Sequence, residues 1–312
     1  MNEHIKFRHL QCFLAVAQHG SLQKAAGVLA ITQPAVSKTL KELEDMLAVR
    51  LFERGRKGAV LTREGEAFMH HASASASALR EAVASVAQAR SPGSAVVTVG
   101  VLPTVAPSLM LQLLLHLDQP GQPQHKLRIH TAANPQLLTQ LRQHELDMVI
   151  GRFAEPEQML GLSFEHLYAE PLVLAVRPGH PLLLDAALRL DPLAHLAAFT
   201  VVLPTRSTAI RHSADSFLLA HGLGQLPRTI ETLSVAMASQ YTAASDAVWL
   251  FPLGAVEAEL ARGALVRLPI NMAGTEELVG LTLRADMVAS AAQQTLLNAI
   301  RLIAKARRSA AA

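Results

Sequence analysis

The chain has 312 residues, half of them hydrophobic and 17% charged, with a formal net charge of +3 and a single cysteine. That apolar content excludes a disordered chain, and the length exceeds one comfortable core, suiting two or three units. No run of about 18 uncharged apolar residues is present to span a membrane, the start Met1-Asn2-Glu3-His4-Ile5-Lys6 lacks a signal-peptide core, and Cys12 alone forms no internal disulfide, so the expected compartment is the cytoplasm.

The charge is unevenly spread. Residues 1–65 hold ten Lys/Arg against six Asp/Glu, or +4, leaving 18 against 19, or −1, for the rest. A polyanion partner is therefore expected for the first fifth of the chain alone.

Phe7, Leu10, Phe13, Leu14 and Ala17 recur at the spacing of one helical face, with Cys12 as a packing residue inside the run. Gly20-Ser21 breaks this helix, and Ser21 can cap the next, to Ala30, whose Ala25, Ala26 and Leu29 form a close-packing face. Thr32 is a suitable N-cap for a third helix running to about Leu47, with Pro34 in its first turn. That helix should bury Ala35, Val36, Leu40, Leu43 and Leu47 and present Gln33, Ser37, Lys38 and Lys41. A polar, mildly basic face directly after a tight helix-turn suits entry into the major groove. Taken alone it could equally be an ordinary solvated face. The adjoining segment favours the groove: Leu51-Phe52-Glu53-Arg54, the glycine-bounded basic turn Gly55-Arg56-Lys57-Gly58, then Ala59-Val60-Leu61-Thr62, a hairpin with cations at its tip. Such a wing can lie along phosphates or reach into a minor groove.

The pattern Phe13-x-x-Val16-Ala17-x-x-Gly20-Ser21-x-x-x-Ala25-Ala26-x-x-Leu29-x-x-Thr32-Gln33-Pro34-Ala35-Val36-Ser37-Lys38 resembles the DNA-binding head of LysR-type transcription regulators. So do Leu40-x-x-Leu43-Glu44-x-x-Leu47, Leu51-Phe52-x-Arg54 and Leu61-Thr62-x-x-Gly65. Within the family, Ile5-Lys6-Phe7-Arg8-His9-Leu10-Gln11, Gly100-Val101-Leu102-Pro103-Thr104-Val105 and Phe164-Glu165-His166-Leu167-Tyr168 are similar to the branch that regulates protocatechuate-type aromatic degradation. The resemblance implies that Gln33, Pro34, Ser37, Lys38 and Lys41 face bases or adjacent phosphates and that Arg54, Arg56 and Lys57 belong to the wing. Gln33 suits paired hydrogen bonds to adenine; Lys38 suits a guanine edge or a phosphate, and the sequence leaves that choice open.

From Arg63 to about Ala89 no proline occurs, and Phe68, Ala72, Ala76, Leu79, Val83 and Val86 draw a narrow apolar seam along one long helix. It could pair with a second copy or pack on its own domain. The resemblance implies antiparallel pairing into a homodimer, a homotetramer beyond that, and a near-palindromic site on double-stranded promoter DNA. Ser91-Pro92-Gly93-Ser94 is the expected hinge.

Beyond it strands and helices alternate, predicting a mostly parallel sheet covered by helices. Strands are expected at 96–101, 126–130, 148–150, 172–176, 200–203, 247–251 and 278–283, with helices at 106–117, 136–143, 210–221 and 234–244 and a last one to about Ala304. The resemblance implies two subdomains resembling a periplasmic solute-binding protein, the first about 95–167 and 270–312, the second about 168–269. The whole is then an α+β multi-domain chain: a winged helix-turn-helix over 1–62, a linker helix over 63–90, a hinge at 91–94 and an effector domain over 95–312.

Ligands of such sheets sit where strand ends face helix N-termini. Thr104, Asn134, Ser207, Thr208 and Thr232 stand at such junctions, each able to serve as a plain cap or a ligand contact. Arg152 and Arg206 add cations that could bind a carboxylate or form surface salt bridges. The expected effector is a small organic acid, with no further cofactor, and RNA polymerase is an expected partner. No nucleophile elbow, phosphate loop, zinc-protease motif or dinucleotide fingerprint argues for an enzyme, and the 14 histidines are scattered without metal spacing. A regulator of sugar or amino-acid transport or metabolism with a different small effector, a solute-binding module without a transcriptional role and a DNA-binding factor without an effector are the competing readings.

Overall fold

The computed structural model describes residues 5–55, 58–90, 96–206 and 208–311, and the chain divides into two compact units, one of residues 1–94 with 142–145 and one of 95–141 with 146–312. In the first, α1 (Phe7–His19), α2 (Leu22–Leu29) and α3 (Gln33–Leu47) precede a hairpin of β1 (Phe52–Gly55) and β2 (Gly58–Leu61), then the long α4 (Arg63–Arg90). Gly20 ends α1 by taking φ +61° and returning its N–H to the Val16 carbonyl. Ser21 caps α2 through the Lys24 N–H. Thr32 occupies the N-cap of α3, but its hydroxyl makes no cap bond.

The core of this unit is Phe13, Val16, Ala25, Ala26, Val36, Leu40, Leu43, Leu51 and Phe52. The Phe13 ring meets Phe52 at 5.2 Å and, edge-on, Phe68 at 5.0 Å. Ala35 and Leu47, expected to be buried, are only half-buried, at the start and the end of α3, and Leu47 packs at the edge of the core. The expected seam along α4 divides: Phe68 and Ala72 pack into the head's own core, because the first turns of α4 lie against α1. Leu79 and Val83, further along, are 44% and 66% exposed. The side chain of Val86 and the hinge at 91–94 lie outside the described residues.

The second unit opens with β3 (Val96–Val101), a π-helical segment at Ala106–Met110 running into α5 (Leu111–Leu117), β4 (Lys126–Thr131), α6 (Asn134–Arg142), β5 (Met148–Arg152) and β6 (Leu162–Glu170). Then come β7 (Leu172–Val176), the short α7 (Pro181–Leu184) and α8 (Ala186–Leu190), β8 (Val201–Leu203), α9 (Ala209–Ala220) and β9 (Thr229–Glu231). The chain continues through α10 (Val235–Ala244), β10 (Val248–Pro252), α11 (Leu253–Ala261) and β11 (Val266–Arg267), and returns as β12 (Glu277–Arg284) and α12 (Ala291–Ala311).

Two five-stranded sheets result, ordered β4-β3-β5-β12-β6 and β11-β7-β10-β8-β9. Only half of the pairings are parallel, fewer than the alternation predicts. β3 is parallel to β4 and β5, and β8 to β9 and β10, but β12 is antiparallel to β5 and β6, and β7 to β10 and β11. The chain crosses between the sheets twice, from β6 to β7 and from β11 to β12, and β7 and β12, the strands that receive it, are the ones that pair antiparallel. The crossings are tied together where the Leu172 N–H donates to Thr275 Oγ1 at 3.1 Å.

Candidate nucleic-acid interface and ligand cleft

α3 separates its two faces cleanly. Val36, Leu40 and Leu43 are buried, while Gln33, Pro34, Lys38 and Lys41 are exposed and Ser37 is half-buried at the polar margin. With Thr32 making no cap bond, the first-turn N–H groups and the positive end of the helix dipole face outward beside Gln33. Gln33 and Ser37 line a recess of about 350 Å³ with Ser21, Leu22, Gln23, Gly58 and Ala59, so the ends of two helices and the base of the wing share one concavity.

Three contacts fix that geometry. The Ala59 N–H donates to the Gly20 carbonyl at 2.9 Å, tying the wing to the turn between α1 and α2. Glu44 Oε1 accepts the N–H groups of Leu51 and Phe52 at 2.8 and 3.2 Å, which holds the start of β1 on the back of α3. Thr62 Oγ1 donates to the Arg50 carbonyl at 2.7 Å and accepts the Gly65 N–H at 3.0 Å, capping α4. The sequence pattern contains Gly20, Glu44, Thr62 and Gly65, and the structure gives each an architectural role. Arg54 lies on β1 opposite Ala59, whereas Arg56 and Lys57 lie outside the described residues.

In the second unit, Thr104, Asn134, Arg152, Arg206 and Thr208 line one cleft of about 370 Å³ at the ends of β3, β5 and β8. Ser207 lies outside the described residues. Thr232 is not among the lining residues: its Oγ1 accepts the Ser234 N–H at 3.0 Å, a local turn bond beside α10. Asn134 spends its amide N–H on the Arg152 carbonyl at 3.0 Å, and its Oδ1 lies against Gly151, where a Cβ would stand only 2.5 Å away. Thr208 Oγ1 donates to the Thr205 carbonyl at 2.7 Å. Arg206 is largely solvent-exposed and pairs with Glu231 at 3.1 Å. The hydrogen bonds from Arg211 and Arg206 hold the Glu231 carboxyl below its ordinary range.

Arg152 lines the cleft, and the surface salt bridge open to it in the sequence is instead a buried one: it is 4% exposed, and its Nη2 donates to the equally buried Glu170 at 2.7 Å. Glu170 Oε2 in turn accepts the Gly254 N–H at the start of α11 at 2.9 Å. Cleft residues missed in the sequence include Phe153, Gln158, Ile210, His212 and Leu233. Phe153 is half-exposed and meets Phe164 edge-on at 5.2 Å. An aromatic directly after a strand end was the available signal for it. Among the described residues no cluster of three metal-ligating side chains occurs, and no helix is long and apolar enough to cross a membrane.

Comparison with known proteins places both units. Residues 7–66 match the family described as bacterial regulatory helix-turn-helix protein, lysR family, and residues 90–302 match the LysR substrate binding domain. The HTH-type transcriptional regulator PcaQ of Agrobacterium fabrum is 43% identical over 303 residues, 96% of either chain. The uncharacterized HTH-type transcriptional regulator YdcI of Escherichia coli is 40% identical over 300 residues, again 96% of each. A full-length OxyR variant from Pseudomonas aeruginosa superposes with a TM-score of 0.63 at 25% identity, covering 96% of this chain and 98% of that one. PcaQ and YdcI are named as transcriptional regulators, not as enzymes.

Proposed function

The chain belongs to the LysR family of DNA-binding transcriptional regulators, and on that premise we propose that it reads its operator with the Gln33, Ser37 and Lys38 face of α3 and answers a small organic acid held in the cleft around Thr104. The observation that carries the reading is the split of α3: three aliphatic side chains buried, and a polar face turned outward beside an uncapped helix start. Gln33 reads an adenine edge, while Lys41 and the wing cations Arg54, Arg56 and Lys57 hold phosphates and set register. The second half of α4 pairs two copies, and two such dimers form a tetramer on a bent promoter in the cytoplasm.

The effector changes the angle between the two sheets' subdomains and so the grip on DNA, which alters polymerase recruitment. Only a ligand that prefers one of the two states moves that balance. The regulated genes are those of an aromatic-acid catabolic operon, a reading supported by the 43% identity to PcaQ and by the branch-specific segments of the sequence. The alternative, a regulator of sugar or amino-acid transport or metabolism, differs in the genes it occupies.

Genome-wide mapping of bound DNA separates them: binding next to aromatic-acid catabolic genes is expected, and occupancy confined to transport genes would overturn the pathway. Melting curves with aromatic-pathway acids then identify the effector, because a ligand of the folded state raises the melting temperature. Thr104→Val is expected to lose that rise while keeping operator binding. Loss of operator binding instead would remove Thr104 from the effector site.

A further inference from the structure

Near the end of β5, Gly151 stands opposite Gly280 of β12. Two glycines side by side leave a strip of bare backbone on that face of the sheet, and two side chains fill it. Over Gly151 lies the Asn134 amide, which donates to the Arg152 carbonyl at 3.0 Å. Over Gly280 lies the ring of Phe164, from β6: a Cβ on Gly280 would stand 2.2 Å from Phe164 Cζ. Glycine at 280 thus lets Phe164 reach across β12 to Phe153, just past the end of β5, whose ring it meets edge-on with centroids 5.2 Å apart.

That brace matters because Phe153 is 51% exposed and carries the one phenyl ring among the described residues that line the cleft. Its strand end is held by Asn134 and its ring by Phe164, so the wall is in place before a ligand arrives. A preformed wall binds without the ordering cost that a mobile one adds. The other large apolar groups of the lining, Leu102, Ile210 and Leu233, are aliphatic and accept any hydrocarbon skeleton. Charge ranks small acids no better: Arg152 and Arg206 are already paired, with Glu170 and Glu231, and Glu155 adds a negative charge to the wall. The wall feature left to distinguish one carbon skeleton from another is the Phe153 ring.

Resting on the reading of this cleft as the effector site, we propose that Phe153, positioned by Phe164, selects the effector's skeleton: a planar conjugated acid, aromatic or dienic, over a saturated acid of the same size and charge. A planar π system stacks on the ring, offset or edge-on, and keeps close contact across its width. A puckered ring or twisted chain touches it at few points and forfeits those dispersion contacts. The gain is about fivefold in affinity, the size of one aromatic pair beyond its buried area.

Melting curves of the full chain are recorded with two matched pairs of acids, benzoate against cyclohexanecarboxylate and cis,cis-muconate against adipate. The members of a pair share their carbon and carboxylate counts and differ in unsaturation. The unsaturated member of at least one pair is expected to reach its half-point at about fivefold lower concentration, and the pair that does so tells ring from diene. Phe153→Leu keeps the wall apolar at a half-exposed position, so the unliganded melting temperature should stay near the parent's. Both acids should still give a saturable rise in that variant, now with half-points within about twofold of each other, whereas Phe153→Tyr retains the preference. Phe164→Leu should reduce the preference too, although Phe164 is not among the lining residues; a purely structural role would lower the unliganded melting temperature and leave the ratio untouched. Equal half-points in both pairs for the parent, or a preference that survives Phe153→Leu, would overturn selection by Phe153 and leave the cleft standing as the effector site. No rise with any of these acids would overturn the cleft as an acid site, and the inference with it.

Discussion

Gly58 lies directly against Gly20: the N–H of the residue after Gly58 donates to the Gly20 carbonyl, and a Cβ on Gly58 would stand 2.4 Å from that same oxygen. Gly58 also holds φ +104°, a region that side chains rarely adopt. Clash and strain therefore act at one position. Gly58→Ala is expected to destabilise the head by about 1–3 kcal/mol and to weaken operator binding further, since the wing base must move off the turn between α1 and α2. Thermal unfolding and operator titration check this. Unchanged stability together with unchanged affinity would remove the Gly20–Gly58 contact as the anchor of the wing.

Much of the head is legible in the sequence, because its elements are short, periodic and punctuated by residues with one job: Gly20 as terminator, Ser21 as cap, Pro34 in a first turn. What the pattern does not reveal is long-range bonding. Glu44 reads as one more charge on α3 until Leu51 and Phe52 are seen to point their N–H groups at it. Phe68 and Ala72 share the spacing of Leu79 and Val83, and only the fold assigns the first pair to the head's core. In the second unit the junction residues Thr104, Asn134, Arg206 and Thr208 do meet in one cleft, because strand ends converge at the edge of a sheet. Thr232 shares their sequence signature and is left out. The partner of Arg152 was hidden, since Glu170 lies two strands away across β12.

Gln33 and Lys38 share the outward side of α3, and their contributions separate by salt and by sequence. Gln33→Ala is expected to cost about 1–3 kcal/mol on the operator and to relax preference at one base position, with little change on random DNA. If Lys38 holds a phosphate, Lys38→Ala weakens operator and random DNA alike and lowers the slope of log affinity against log salt by about one. If it reads a guanine edge, the loss falls on the operator. Binding curves at three salt concentrations on both DNAs distinguish the cases, and equal losses on both for Gln33→Ala would end its base-reading role.

His180 supplies a pH dependence confined to the second sheet. Its fully buried ring accepts the Leu182 N–H on Nδ1 at 3.1 Å and meets the Asp246 carbonyl through Nε2 at 3.1 Å, which fixes the neutral tautomer with the proton on Nε2. Burial lowers its pKa from the ordinary value of 6.5. The unfolded chain therefore takes up this proton at a higher pH than the folded one. Stability from this group is complete above about pH 6.5, declines as pH falls toward the lowered folded value, and is level below it, with a slope of at most about 1.4 kcal/mol per pH unit. His180→Gln keeps a donor and an acceptor without the titration. Denaturant midpoints at pH 7.5 and 5.0 should differ less in the variant than in the parent; equal differences would show that His180 is not a source of the acid sensitivity.

Leu79 and Val83, one turn apart on α4, are exposed aliphatic side chains beyond the part of the helix that the head buries. If they form the seam between two copies, two-fold symmetry presents each substitution twice in one interface. Val83→Glu then places two carboxylates in an apolar contact, where desolvation and mutual repulsion add. The dimer is expected to dissociate at least about tenfold more readily, roughly 1.4 kcal/mol, while the monomer's fold is preserved, since Val83 is 66% exposed and contributes to no core. Sedimentation across a concentration series reads the first effect and circular dichroism the second. Operator binding should become less cooperative in step, because a head freed from its partner addresses one half-site at a time. A variant that sediments as the parent does would assign the pairing surface to another face of α4.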